Sequence, residues 1–214
     1  MTERKLYLVR HGQRLDAVDK QWHAKQGGDK YDSPLSSTGI MQAEQLARRL
    51  QDEAIDVIIS SPYLRALQTA QPIAEALGMP FYVDAGMGEW QGRAMIPHAP
   101  DITPPDERVS QFANLDLSHT TTIWPQYPES VPQVFARYRQ AVTRLLDVFD
   151  GHLLIVGHGR VVTGTAHVLV GKPEREFNYP IAGITRLVQT GDTWQIDLNG
   201  DDRHLQDTPQ VHYV

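Results

Sequence analysis

Three short apolar runs organise the chain, and each is cut off by small or polar residues. Leu6-Tyr7-Leu8-Val9 stops at Arg10-His11-Gly12, Val57-Ile58-Ile59 at Ser60-Ser61-Pro62, and Leu153-Leu154-Ile155-Val156 at Gly157-His158-Gly159. Unbroken apolar runs between turn-forming residues predict strands buried on both faces, as in a parallel sheet. Between the runs the period becomes helical. Ile40, Ala43, Leu46, Ala47 and Leu50 share one face of a helix over residues 40–51, with Ser and Thr upstream as caps. Leu64, Leu67, Ala70, Ile73, Ala74 and Leu77 do the same up to Gly78. For that helix, Ser61-Pro62 predicts an N-cap followed by proline at the first helical position. Residues 131–149 and 161–169 predict two more helices, closed by Gly151 and Gly171. Residues 80–83 form a weaker strand, and 185–188 and 193–198 predict a hairpin around Thr190-Gly191-Asp192.

Strands alternating with helices predict an α/β fold of three layers, a largely parallel sheet with helices on both faces. Neither an internal repeat nor a second domain is visible, so residues 1–214 read as one domain. Two stretches break the rhythm. Residues 16–34 are polar and aperiodic, and residues 93–132 hold seven prolines in a polar background. Long loops inside a compact domain are commonly binding loops or lids, which predicts a cap built from two insertions. The alternative is a pair of disordered surface insertions.

Composition narrows the chemistry. The chain has 214 residues, 41% of them hydrophobic, and no cysteine. A disulfide framework and a thiolate nucleophile are therefore excluded. The net charge of -6 speaks against nucleic acid or an anionic membrane as partner. No apolar run long enough for a membrane span or a signal peptide is visible, which predicts a cytoplasmic protein. An anionic substrate would need a local cluster of cations, against the sign of the whole molecule.

Such a cluster is legible. In a parallel sheet, ligands sit at the carboxyl ends of the strands. His11 and His158, each next to glycine, should both arrive at that edge. Arg10 adjoins His11, and Arg14 follows three residues later. Arg65 falls in the first turn of a helix, whose unpaired N–H groups attract anions. Gly12 leaves room for a ligand to approach the backbone. Arg10, Arg14, Arg65 and two histidines converging on one point suit a phosphate. A neutral imidazole is a competent nucleophile toward phosphorus, and nearby arginines would keep it neutral. His158 could donate a hydrogen bond to the phosphate oxygens. Glu89 is the first candidate for protonating the leaving oxygen, and Asp84 is its rival. Neither an H-E-x-x-H motif nor a carboxylate–histidine cluster with metal-ligand spacing is present, so no metal and no cofactor is expected. His98, His119, His152, His167, His204 and His212 read as surface or structural residues.

Together these residues resemble the histidine phosphatase superfamily, the phosphoglycerate mutase-like fold, over nearly the whole chain. The likeness is carried by Leu8-Val9-Arg10-His11-Gly12, Pro34-Leu35-Ser36-Ser37-Thr38-Gly39, Ser60-Ser61-Pro62-Tyr63-Leu64-Arg65-Ala66 with Gln68-Thr69-Ala70, and Val156-Gly157-His158-Gly159. It implies that His11 accepts the phosphoryl group, that Arg10, Arg65 and His158 form the phosphate pocket, and that Glu89 is the proton donor. Gln13-Arg14-Leu15-Asp16 and Gly86-Met87-Gly88-Glu89-Trp90 are similar to the branch of the suppressor-of-T-cell-receptor-signalling phosphatases, in which an extra arginine stands at the position of Arg14. The Trp-Asn that follows shortly after the motif in cofactor-dependent phosphoglycerate mutases is missing.

The expected activity is that of a phosphomonoesterase acting on a small phosphorylated substrate or phosphopeptide. A mutase and a non-catalytic phospho-ligand binder are the alternatives. Trp22, Tyr31, Trp90, Phe112, Trp124 and Tyr127 lie in or beside the cap, while Lys20, Lys25, Lys30, Arg93 and Arg108 are scattered among acids. That pattern predicts a preference for an aryl or bulky ester over a small, multiply charged phosphoglycerate.

Overall fold

The structure, a computed structural model, describes residues 3–27, 29–94 and 96–205; His212 lies outside them. The parallel core consists of β1 (Arg4–Arg10), β2 (Val57–Ser60), β3 (Phe81–Val83), β4 (Leu115–Asp116) and β5 (Leu153–Gly157). The hairpin β6 (Ile184–Thr190) and β7 (Thr193–Asp201) adds two antiparallel strands, giving the order β4-β3-β2-β5-β1-β6-β7. The helices are α1 (Leu15–Val18), α2 (Trp22–Gln26), α3 (Ser37–Leu50), α4 (Leu64–Leu77), α5 (Pro105–Arg108), α6 (Val131–Val148) and α7 (Gly159–Val170). No helix of the described residues is long and apolar enough to cross a membrane.

The apolar runs are continuous because both faces of the sheet are covered. Tyr7, Val9, Leu154 and Val156 face one core with Leu46 and Leu50 of α3 and Leu67 and Ile73 of α4. Leu6, Leu8, Leu153 and Ile155 face the other core with Val134 and Leu145 of α6 and Val161 and Val162 of α7. Each fully buried Leu, Ile or Val of this kind contributes roughly 1.5–3 kcal/mol. Burial also sets the register, because a one-residue slip would turn every side chain onto the wrong face. Arg10 pairs with Gly157 and Ser60 with Val156. The residues that follow, His11, Ser61 and His158, therefore emerge at one edge.

Two expectations change. Ser61 does not cap α4. The helix begins three residues later, Tyr63 at its N-cap position makes no side-chain cap bond, and the Leu64 N–H donates to Asp32 Oδ1 at 2.7 Å. The cap thus comes from the aperiodic loop before α3, an interaction that local sequence cannot display. The proline-rich stretch is also not simply a cap. Its centre returns to the sheet as β4, where Leu115 pairs with Phe81. Phe112 is buried with its ring 6.3 Å from that of Phe81. Flanking parts of the stretch enclose a separate cavity of about 590 Å³, with the exposed Trp124 in its wall.

Candidate active site

His11 is pinned from both sides. Its N–H donates to the Gly157 carbonyl at 2.9 Å, and its own carbonyl accepts from Ala182 N–H at 3.2 Å. The imidazole is 2% exposed, and its Nδ1 lies 2.7 Å from the Gly12 carbonyl. A carbonyl only accepts, so Nδ1 carries the proton and Nε2 keeps its lone pair. His158 is fully buried, its ring centre 5.2 Å from that of His11. Its Nδ1 lies 3.2 Å from Nη2 of Arg65 and its Nε2 lies 2.8 Å from Ser61 Oγ. A guanidinium only donates, which places the lone pair on Nδ1 and makes Nε2–H a donor to Ser61. Both histidines are pushed well below the ordinary pKa, first by burial and then by the Arg65 charge. Both are neutral at pH 7 as a result.

Gly12 has a packing reason of its own. A Cβ there would stand 2.5 Å from the Gly39 carbonyl at the start of α3. Its N–H donates to Thr69 Oγ1 at 3.2 Å, and its carbonyl is the partner of His11.

The three arginines approach from different elements. Arg65, 2% exposed, donates through Nη1 to the Tyr31 carbonyl at 2.9 Å and lies 4.5 Å from the centre of the Tyr63 ring. Its Nε–H has no acceptor among the described residues. Arg14 makes a two-pronged bond to Asp16, 2.9 Å on each arm. Arg10 donates to the Tyr179 carbonyl at 3.0 Å.

The two candidate acids separate. Glu89 Oε2 is 3.4 Å from His158 Nδ1, and Glu89 lines the same pocket as Arg14 and Arg65. Asp84 is engaged elsewhere. Its Oδ1 accepts from Gly86 N–H and its Oδ2 lies 2.8 Å from His119 Nε2, with both side chains buried. His119 is thus structural. His152 accepts from Lys5 N–H, and His98, His167 and His204 sit within hydrogen-bond distance of nearby carbonyls. No group of three or more potential metal-ligating side chains occurs among the described residues.

A pocket of about 280 Å³ is lined by Arg14, Arg65 and Glu89, while His11, His158 and Arg10 are not among its lining residues. Its wall corrects the picture of scattered cations, because Lys20 and Lys30 line it together with Arg14 and Arg65. Lys25 is instead paired with Asp19 at 2.6 Å, and Arg108 is buried against Asp32. Of the aromatic residues, Trp22, Tyr31 and Trp90 reach the pocket, whereas Phe112, Trp124 and Tyr127 do not line it. Ser61 was recognisable in principle. It follows the last residue of its strand as His11 and His158 follow theirs, but the adjacent proline made it look like a cap. Nothing in the local sequence marks Lys20 or Lys30.

Fold and site define an α/β protein built around a buried, neutral histidine pair at the carboxyl edge of its parallel strands, ringed by arginines. The chain belongs to the histidine phosphatase superfamily, branch 1, whose family profile matches residues 6–202. It is 29% identical to the probable phosphoglycerate mutase GpmB of Erwinia tasmaniensis over 213 residues, 95% of each chain. Among solved structures it resembles the ecdysone phosphate phosphatase of Bombix mori, with a TM-score of 0.73 at 18% identity over 90% of this chain and 91% of the other. It also resembles a phosphoserine phosphatase of Entamoeba histolytica, with a TM-score of 0.66 at 22% identity over 94% and 99%.

Proposed function

We propose that the chain is a phosphomonoesterase that works through a phosphohistidine on His11, with no metal or cofactor. The observation that carries this reading is the 2.7 Å contact of His11 Nδ1 with the Gly12 carbonyl. It fixes the tautomer that leaves Nε2 with its lone pair for attack on phosphorus. Burial of the ring and, after it, the Arg65 charge keep that lone pair unprotonated.

In the first half-reaction Nε2 forms a bond to phosphorus as the ester P–O bond breaks, and Glu89 gives its proton to the departing oxygen. In the second, water attacks the phosphohistidine, Glu89 takes the proton, and Nε2 leaves with its electron pair. Arg10, Arg14 and Arg65 neutralise charge on the equatorial oxygens. An arriving dianion would also favour the protonated form of His158, so that its Nδ1, now the lone-pair side, becomes a donor to phosphate. Arg14 would have to share its guanidinium between Asp16 and the phosphate.

A mutase differs only in returning the phosphoryl group to a bound acceptor. The similarity to probable phosphoglycerate mutases favours that second reading, while the missing Trp-Asn after His11 favours hydrolysis. The likeness to the suppressor-of-T-cell-receptor-signalling branch rests on Arg14 and the run 86–90 alone. Radiolabelled p-nitrophenyl phosphate in EDTA tests the proposal. Release of phosphate is expected, with an acid-labile label that disappears in His11→Ala. A label on another residue, or hydrolysis that survives His11→Ala, overturns it. Label passing to phosphoglycerate faster than to water would make the protein a mutase.

A further inference from the structure

We infer that the pocket carries a second anion site at its rim, formed by Lys20 and Lys30 with His23 beside them, and that the substrate is a small phosphomonoester bearing another anionic group. The inference rests on the phosphoryl-transfer reading of His11 and adds the substrate class.

Three observations carry it. Lys20 and Lys30 stand before and after α2, yet both line the pocket whose floor holds Arg65. Neither ammonium has a carboxylate within 4.0 Å among the described residues, whereas Lys25, on α2 itself, is paired with Asp19. With Arg14 and Arg65 they set four fixed cations against two lining carboxylates, Asp16 and Glu89, in a chain of net charge -6. A cleft whose charges sum to positive, in a protein of negative net charge, focuses field on whatever enters it.

The position of the lysines, not the net charge of the pocket, sets them apart from the place of the ester phosphate. Arg65, buried and with an Nε–H that has no acceptor among the described residues, meets the phosphate at the base, while the lysines are exposed at the mouth. Long flexible ammonium stems at a mouth suit a group held as a point charge, a carboxylate or a second phosphate. The volume of about 280 Å³ lies at the small end of ligand pockets. The aromatic residues leave little free face. Trp22 is buried, Lys30 Nζ lies over the Tyr31 ring at 4.9 Å while His98 meets that ring in a T-shaped contact at 5.2 Å, and Trp90 lies under Arg160 at 4.8 Å. A short, doubly anionic ester therefore fits better than a bulky aryl one, the reverse of the preference that scattered cations predict.

The test is the second-order rate of His11 phosphorylation by matched donors. 3-Phosphoglycerate adds a carboxylate to the frame of glycerol 3-phosphate, and glycerol bisphosphate adds a phosphate. At least one of the two is expected to react about tenfold faster than glycerol 3-phosphate at low ionic strength. That factor equals about 1.4 kcal/mol, the scale of two solvent-touched ion pairs. Which donor gains names the second group. The advantage should vanish in Lys20→Ala/Lys30→Ala, persist in Lys25→Ala, and shrink as salt is added. Equal rates for all three donors in the wild type, or an advantage untouched by the double substitution, overturns the inference. Failure of every donor to label His11 overturns the phosphoryl-transfer reading itself, and the second anion site with it.

Discussion

His158 donates from Nε2 to the hydroxyl of Ser61 across 2.8 Å, and the two residues occupy equivalent places, each directly after the last residue of a parallel strand. The bond holds the imidazole with Nδ1 turned toward Arg65 and Glu89. Ser61 is thus a positioning residue for His158. Ser61→Ala removes the acceptor and leaves a buried N–H unpaired, so the ring loses its preferred tautomer. The expected result is a fall in kcat/KM on the order of tenfold, about 1.4 kcal/mol, together with a displaced acid limb of the pH–rate profile. A wild-type pH profile in the variant would show that Ser61 does not orient the ring.

Glu89 and Asp84 should part company on substitution. Glu89→Gln is expected to slow an alkyl phosphate far more than p-nitrophenyl phosphate, because a general acid matters most where the leaving oxygen is strongly basic. Asp84→Asn removes the charged partner of His119 and alters the turn at Gly86. It should lower thermal stability and leave the leaving-group dependence as it was. Equal slowing of both esters in Glu89→Gln would take the acid role away from Glu89.

Asp32 ties three distant segments together. It accepts from the first N–H of α4 and from the buried guanidinium of Arg108, while the adjacent Tyr31 carbonyl holds Arg65. Asp32→Ala would leave Arg108 buried without its carboxylate, a loss of about 3–5 kcal/mol. The lost cap would cost about 1 kcal/mol more. Urea unfolding measures the sum. A change below about 1 kcal/mol would mean that solvent replaces both partners.

The histidine pair predicts the sign of the pH dependence. His11 and His158 are held below their ordinary pKa, by burial first and Arg65 next. Below about pH 6.5, where unfolded histidine begins to bind protons, the unfolded chain takes up more protons than the folded one. This contribution to stability is therefore complete above about pH 6.5 and is lost as the pH falls below it. The unfolding midpoint should drop between about pH 7 and pH 5, less steeply in His11→Gln/His158→Gln. The acid limb of kcat/KM should lie below the ordinary histidine pKa, since the nucleophile stays unprotonated there. An acid limb centred near pH 6.5 would contradict the assignment of a low pKa to His11.

Much of this protein is determined by its sequence alone, for local reasons. An apolar run such as Leu153 to Val156 can satisfy both of its faces only inside a covered sheet, so β1, β2 and β5 are legible. Chain direction then puts His11 and His158 at one edge, and the helical periods place α3, α4, α6 and α7 to within a few residues. Only the tertiary structure decides the rest. Ser61-Pro62 reads as a helix cap because that is its local chemistry, but the parallel alignment of β2 with β5 sets the hydroxyl against His158. Asp32 caps a helix that starts 32 residues later, and Lys20 and Lys30 meet Arg65 through a loop with no period to read. These relationships depend on contacts between segments far apart in the chain, and an aperiodic segment takes its conformation from such contacts rather than from the order of its own residues.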